Sequence, residues 1–202
     1  NNRKECSTNI KLLNFVASAC VRLGLHFMQY RDHRVVLVLF NPGQWRAREF
    51  RSPSNYLKWI DCLNQLSIKE KSIVIDITES LLIDHSETIK KQLLNLNENA
   101  IQLAIDDFGI GCTALSSIDE FNINYLKIAP TLVQQLMPES SQLIFCETIV
   151  FMAHKFGLKV IAEGVESEQQ KHLLIKAGCD YGQGFLFSEA VSVKEFEKLL
   201  VS

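Results

Sequence analysis

Two adjacent carboxylates, Asp106 and Asp107, stand at the exit of a short apolar run and lead into Phe108-Gly109. Five more apolar runs end on polar groups able to do chemistry. Asn41 follows 35–40, Asp76 and Glu79 close 73–78, and Lys127 lies within 125–128. Glu163 follows 160–162, and Gln183 follows 179–182. If the runs are parallel strands, these groups meet at one mouth, because the loops after the strands of an α/β barrel gather at one end. Carboxylates crowded in that way repel one another unless cations sit among them. Donors that are all oxygen favour hard divalent ions, so Mg or Mn is the expected cofactor. Lys127 near a barrel centre would be costly without carboxylate neighbours, which argues that it faces them.

The elements that would position these groups alternate along the chain. Apolar residues at helical spacing occupy 10–23, ending at Gly24. A strand is expected over 34–40, then a helix over 54–66 with Pro53 near its first turn. Further strands are expected over 72–77, 101–106, 125–128 and 159–162, and the last strand is contained within 181–187. Helices are expected over 82–96, 113–120, 140–156, 167–177 and 193–201, with Gly157 and Gly178 as stops. The strands are continuously apolar, as in parallel sheets covered on both faces. The fold class is therefore α/β, a TIM-like (β/α)₈ barrel. Such a barrel takes about 250 residues, so over 202 residues roughly two strands are wanting. The chain reads as one barrel domain over 1–202, incomplete at its N-terminus.

Composition narrows the function classes. With 21 basic and 23 acidic residues, the net charge of −2 gives no footing for a nucleic-acid polymer. No apolar stretch approaches the roughly 20 residues of a membrane helix, and residues 1–7 are polar, unlike a signal peptide. The six cysteines are scattered without a CxxC pair, so they read as buried thiols in a reducing compartment, and a cytoplasmic location is expected. The five histidines lack metal-ligand spacing. Gly109-Ile110-Gly111-Cys112-Thr113-Ala114 fits a GxGxxA fingerprint, but Asp106 and Asp107 would face a pyrophosphate with like charge, and no acidic residue lies about 20 positions on. A structural reading of Asp107 as a helix cap and of Glu166 as a favourable helix-start charge stands beside the chemical one.

At this point the blocks resemble the EAL domain, the bacterial cyclic di-GMP phosphodiesterase family. They are FNPGQW with Asn41, ITES over 77–80, DDFGIG over 106–111, YLKI over 125–128, VIAEGVES over 160–167 and GCDYGQGFLFSEA over 178–190. The resemblance implies two divalent ions and hydrolysis of one phosphodiester bond to give pGpG. It maps metal ligation onto Asn41, Asp76, Asp106, Asp107 and Glu163. It makes Lys127, Glu163 and Gln183 catalytic, with Lys127 on the attacking water or the phosphate and Gln183 helping to hold that water. Lys127 and Asp107 would meet substrate, and Glu79 and Glu166 would hold the loop after the Asp-Asp strand. It further implies cyclic di-GMP as partner, a homodimer, and an upstream sensory or diguanylate cyclase domain.

Three departures bear on activity. The Glu-Ala-Leu tripeptide does not occur in the chain. Asp76 stands where the family pattern has a glutamate, one methylene longer, and Ala129 stands where an aspartate usually follows the lysine block. Impaired hydrolysis is expected, with a non-catalytic cyclic di-GMP receptor or a protein-interaction module as the alternative.

Overall fold

The computed structural model describes residues 24–26, 37–40, 73–83, 86–99, 101–109, 118 and 120–187, the first two segments as backbone. Among the described residues, seven strands form one sheet in chain order. They are β1 (Gly24–His26), β2 (Leu37–Phe40), β3 (Ile73–Thr78), β4 (Gln102–Phe108), β5 (Tyr125–Ile128), β6 (Lys159–Ala162) and β7 (Tyr181–Gly182). From β2 to β7 every neighbouring pair is parallel. The helices are α1 (Glu79–Ile83), α2 (Glu87–Glu98), α3 (Pro130–Gln134), α4 (Ser141–Lys155) and α5 (Glu168–Ala177).

Local chemistry explains the boundaries. Ser86, Ser140 and Ser167 each cap a helix by accepting a hydrogen bond from the third residue on, and Ser167 completes a reciprocal box with Gln170. Gly178 ends α5 at φ +89°, a left-handed conformation that glycine adopts without steric penalty.

Alternation along the strands sorts side chains onto two faces. Ile75, Ile77, Leu103, Ile105, Leu126, Ile128 and Val160 join the helices in one apolar core. Val74, Ala104, Tyr125 and Ile161, with Tyr181 against them, form a separate small cluster. Two residues further along each strand, the residues of that second face become Asp76, Asp106, Lys127, Glu163 and Gln183. The second face is therefore apolar at its base and charged at its C-terminal mouth. Burying one large aliphatic side chain of the first core is worth about 1.5–3 kcal/mol, and this is the scaffold that holds the charged mouth.

Several expectations need correction. β1 is a strand where none is expected, and it runs antiparallel to β2. The single helix expected over 82–96 is two, α1 and α2. The short helix α3, with Pro130 at its start, is an addition. The last strand, expected within 181–187, is β7 at Tyr181–Gly182, after which the chain turns at 184–187. The helices expected over 10–23, 54–66 and 193–201 lie outside the described residues, as does most of 113–120.

Candidate active site

A bulge builds the centre of the mouth. Ile105 pairs with Leu126 and Phe108 with Ile128, so Asp106 and Asp107 together oppose the single residue Lys127. The extra residue breaks the strict alternation that would send adjacent side chains to opposite faces. Asp107 carries the irregularity at φ +55°, a region that aspartate tolerates better than most residues. One oxygen each from Asp106, Asp107 and Glu163 lies within 4.8 Å of the others, a grouping able to hold a cation.

Lys127 occupies the inner side of this cluster with no solvent exposure of its side chain. Its ammonium donates to Asp76 Oδ2 at 2.7 Å. It also forms ion pairs with Glu163 Oε1 at 2.7 Å and with Asp106 Oδ1 at 3.4 Å. Burial alone would lower the lysine pKa, but the three carboxylates outweigh it and raise the value, so the ammonium is retained. Burial pushes Asp76 up to about 6 even though Lys127 opposes it. Burial likewise pushes Glu163 up, against the pull of Lys127, to about 7. Asp107 is raised by burial and then by Asp106 beside it.

Four carboxylates (Asp76, Asp106, Asp107, Glu163) against one ammonium leave three negative charges in excess when all are ionised. Asp76 Oδ1 and Gln183 Oε1 are buried without a hydrogen-bond partner, and Asp106 Oδ1 has only the 3.4 Å ion pair with Lys127. Oxygens left in that state are what a hard cation and its waters satisfy, so the residues present fit Mg or Mn. Asp106, Asp107 and Glu163 could hold such an ion directly.

The remaining expected residues are placed less fully. Gln183 is buried at the mouth, with its backbone N–H donating to Ala162 O at 2.8 Å. Glu79 opens α1, and burial raises its pKa. Glu166 is exposed, and its carboxylate accepts from Gln134 Nε2 at 3.3 Å. The loop these two glutamates are expected to hold, 110–117, lies outside the described residues, and so does Asn41. Ala129 is the N-cap of α3 and offers no side-chain capping bond.

The sequence reading missed Asp76 as the partner of Lys127, which lies 51 positions away. It also missed the close approach at Gly164, whereas the two glycines flanking Gln183 suggest such an approach in the sequence, and Gly184 makes one. Gly164, directly after the candidate residue Glu163, was a usable signal of the same kind.

A largely parallel α/β sheet with a carboxylate mouth around one buried lysine defines an α/β barrel protein whose mouth could hold a divalent ion. The chain belongs to the EAL domain family, whose model matches residues 11–190, and its fold is the family's TIM-like barrel type. It is 37% identical to the signaling protein YkoW of Bacillus subtilis over 157 residues, which is 77% of this chain and 19% of that protein. It is 31% identical over 134 residues to the cyclic di-GMP phosphodiesterase RocR of Pseudomonas aeruginosa, covering 66% of this chain and 34% of RocR. A solved complex of Klebsiella pneumoniae BlrP1 with manganese and cy-diGMP shares the fold at a TM-score of 0.69 and 21% identity, over 83% of this chain and 55% of that one. The chain spans about a fifth of the length of YkoW. Among the described residues, no helix is long and apolar enough to cross a membrane.

Proposed function

We propose that this domain binds cyclic di-GMP through divalent ions held at the carboxylate mouth, and that it hydrolyses the ligand to pGpG slowly or not at all. The observation that carries this reading is the buried Lys127 ammonium bridging Asp76, Asp106 and Glu163 beside Asp107. Bound Mg or Mn would supply charge to activate water and to stabilise the oxygens of the phosphodiester. Asp106, Asp107 and Glu163 present hard oxygens for the ion, and Asn41 is proposed to add another. Lys127 offers a positive charge where phosphoryl charge grows in the transition state. Gln183, buried with a free carbonyl oxygen, is proposed to orient the attacking water. Asp107, more exposed than the others, is proposed to meet the ligand.

Slow turnover is supported by two features. Asp76 gives one oxygen to Lys127 through a side chain one methylene shorter than glutamate, and Ala129 contributes no carboxylate at the end of β5. The same features support a non-catalytic cyclic di-GMP receptor as the second reading. Glu79 and Glu166 are proposed to steady the loop over 110–117. A cytoplasmic setting, a homodimer and an upstream sensory or diguanylate cyclase domain complete the proposal.

The test pairs calorimetric titration of Mn and of cyclic di-GMP with chromatography of pGpG. Weak Mn binding that Asp106→Asn abolishes is expected, with little product. Tight Mn binding indifferent to Asp106→Asn would remove the site, and rapid turnover abolished by Lys127→Ala would replace the receptor reading with an enzyme. Binding of neither ion nor nucleotide would leave a protein-interaction module.

A further inference from the structure

Just beyond Lys127, Glu163 and Gln183 the backbone makes two approaches too close for any side chain. Gly164, directly after Glu163, has φ +70°, and a Cβ there would lie 2.7 Å from Pro130 Cβ and 3.2 Å from Pro130 Cα. Gly184, directly after Gln183, has φ +155°, and a Cβ there would lie 2.3 Å from both the N and the O of Val165. The obstacle at Gly184 is backbone, so no rotamer change can relieve it.

Hydrogen bonds stitch the same three segments. Glu163 N donates to Ile128 O at 3.2 Å, and Val165 N donates to Gln183 O at 3.0 Å. Leu186 N donates to Val165 O, also at 3.0 Å. The start of α3, the turn at 163–165 and the turn at 183–186 therefore interlock in series. Gly164 and Gly184 each sit one residue from a side chain of the mouth.

We infer that Gly164 and Gly184 are positioning residues, which set Glu163 and Gln183 against Lys127 as one rigid unit. The inference rests on the metal-dependent reading above. A methyl group at 184 must push the two turns apart by about 1 Å to reach an ordinary contact of roughly 3.5 Å. Glu163 lies two residues from the displaced Val165, so the carboxylate cluster opens with it. Metal sites hold their ligand distances to about 0.2 Å, so this displacement must reach ion affinity.

Gly157 supplies the control, because it has φ +75° and nothing within 4 Å of where a Cβ would stand. Gly157→Ala carries the strain of a left-handed backbone without a collision, whereas Gly184→Ala and Gly164→Ala carry both. The experiment is calorimetric titration of Mn into the full chain, at a temperature where each variant is folded by circular dichroism. Gly157→Ala should melt a few degrees lower and keep the wild-type Mn affinity. Gly184→Ala should bind Mn at least tenfold more weakly, and Gly164→Ala should also lose affinity.

Wild-type affinity in both collision variants would overturn the inference. If Gly184→Ala does not fold, Pro130→Gly, which removes the Cβ packed on Gly164, decides the matter. Mn binding weakened about threefold or more supports the interlock, and unchanged binding overturns it. A wild-type chain that takes up no Mn would instead sink the metal-dependent reading itself, a result distinct from the failure of the glycines alone.

Discussion

Replacing Lys127 with methionine should unfold the charge balance of the mouth. The side chain is fully buried, and its ammonium lies 2.7 Å from Asp76 Oδ2 and from Glu163 Oε1. A third carboxylate, Asp106, is 3.4 Å away. Methionine fills similar volume but leaves these groups facing one another without a cation. Breaking a buried pair by removing one partner costs about 3–5 kcal/mol. Proton uptake limits the loss, because Asp76 and Glu163 already stand raised to about 6 and about 7 with the ammonium present. Without it they rise further and protonate more readily. The expected loss is therefore about 3–5 kcal/mol at pH 8, where the carboxylates would otherwise ionise. It should shrink at pH 5, where protonated carboxylates no longer need the ammonium. At about 2–4 °C per kcal/mol for a chain of this size, the drop at pH 8 is on the order of 6–20 °C. Thermal unfolding of the full chain in EDTA, followed by circular dichroism at both pH values, reads this directly. Excess Mn should then restore more stability to Lys127→Met than to wild type, since a divalent ion can replace the lost charge. A drop under about 2 °C, or one equal at both pH values, refutes the argument.

Metal-free wild type should itself lose stability as pH rises from about 4 to 7. Asp76 and Glu163 have folded pKa values above their unfolded ones, so each favours folding while protonated and opposes it once ionised. For Asp76 the rise from 3.8 to about 6 corresponds to about 3 kcal/mol. Urea unfolding across that range in EDTA, compared with Asp76→Asn, should show a pH slope that the variant lacks in part. Lys127, raised instead, contributes stability that persists to high pH and is lost only as its proton leaves. Restoring carboxylates should act on turnover. Asp76→Glu with Ala129→Asp is expected to raise the rate of pGpG formation in a chain extended upstream, and chromatography showing no gain in the double variant would discount the missing carboxylates as the limit.

Much of this architecture can be read from residues alone, and the exceptions share a cause. The strands over 125–128 and 159–162 coincide with the sequence reading, because short β-branched and apolar runs bounded by turns leave few alternatives. α3 escapes that reading because five residues cover little more than one helical turn, too few for a repeat to show, although Pro130 marks its first turn. β7 lies within the stretch 181–187 that the sequence marks for the last strand, but its end at Gly182, before Gly184 adopts φ +155° and the chain turns away, is not announced by the apolar run to 187. At the site, residue types and strand-end positions identify Asp106, Asp107, Lys127, Glu163 and Gln183. The pairing of Lys127 with Asp76 depends on two strands that are not neighbours in the sheet. The bulge depends on a register offset of one residue between β4 and β5. Both belong to relations between strands, which periodicity within one strand does not encode.

The left-handed backbone at Asp107 reaches beyond geometry into what mutation can do there. Only glycine, asparagine and aspartate enter that conformation readily, while other residues meet a penalty of roughly 1–2 kcal/mol. Asp107 sits at φ +55° in the bulge, so the changes that keep the mouth's shape are few. Drift at this position can erase its charge through asparagine or glycine while leaving the neighbouring Asp106 in place. Residue 107 can therefore lose its carboxylate without the backbone of the barrel being dismantled.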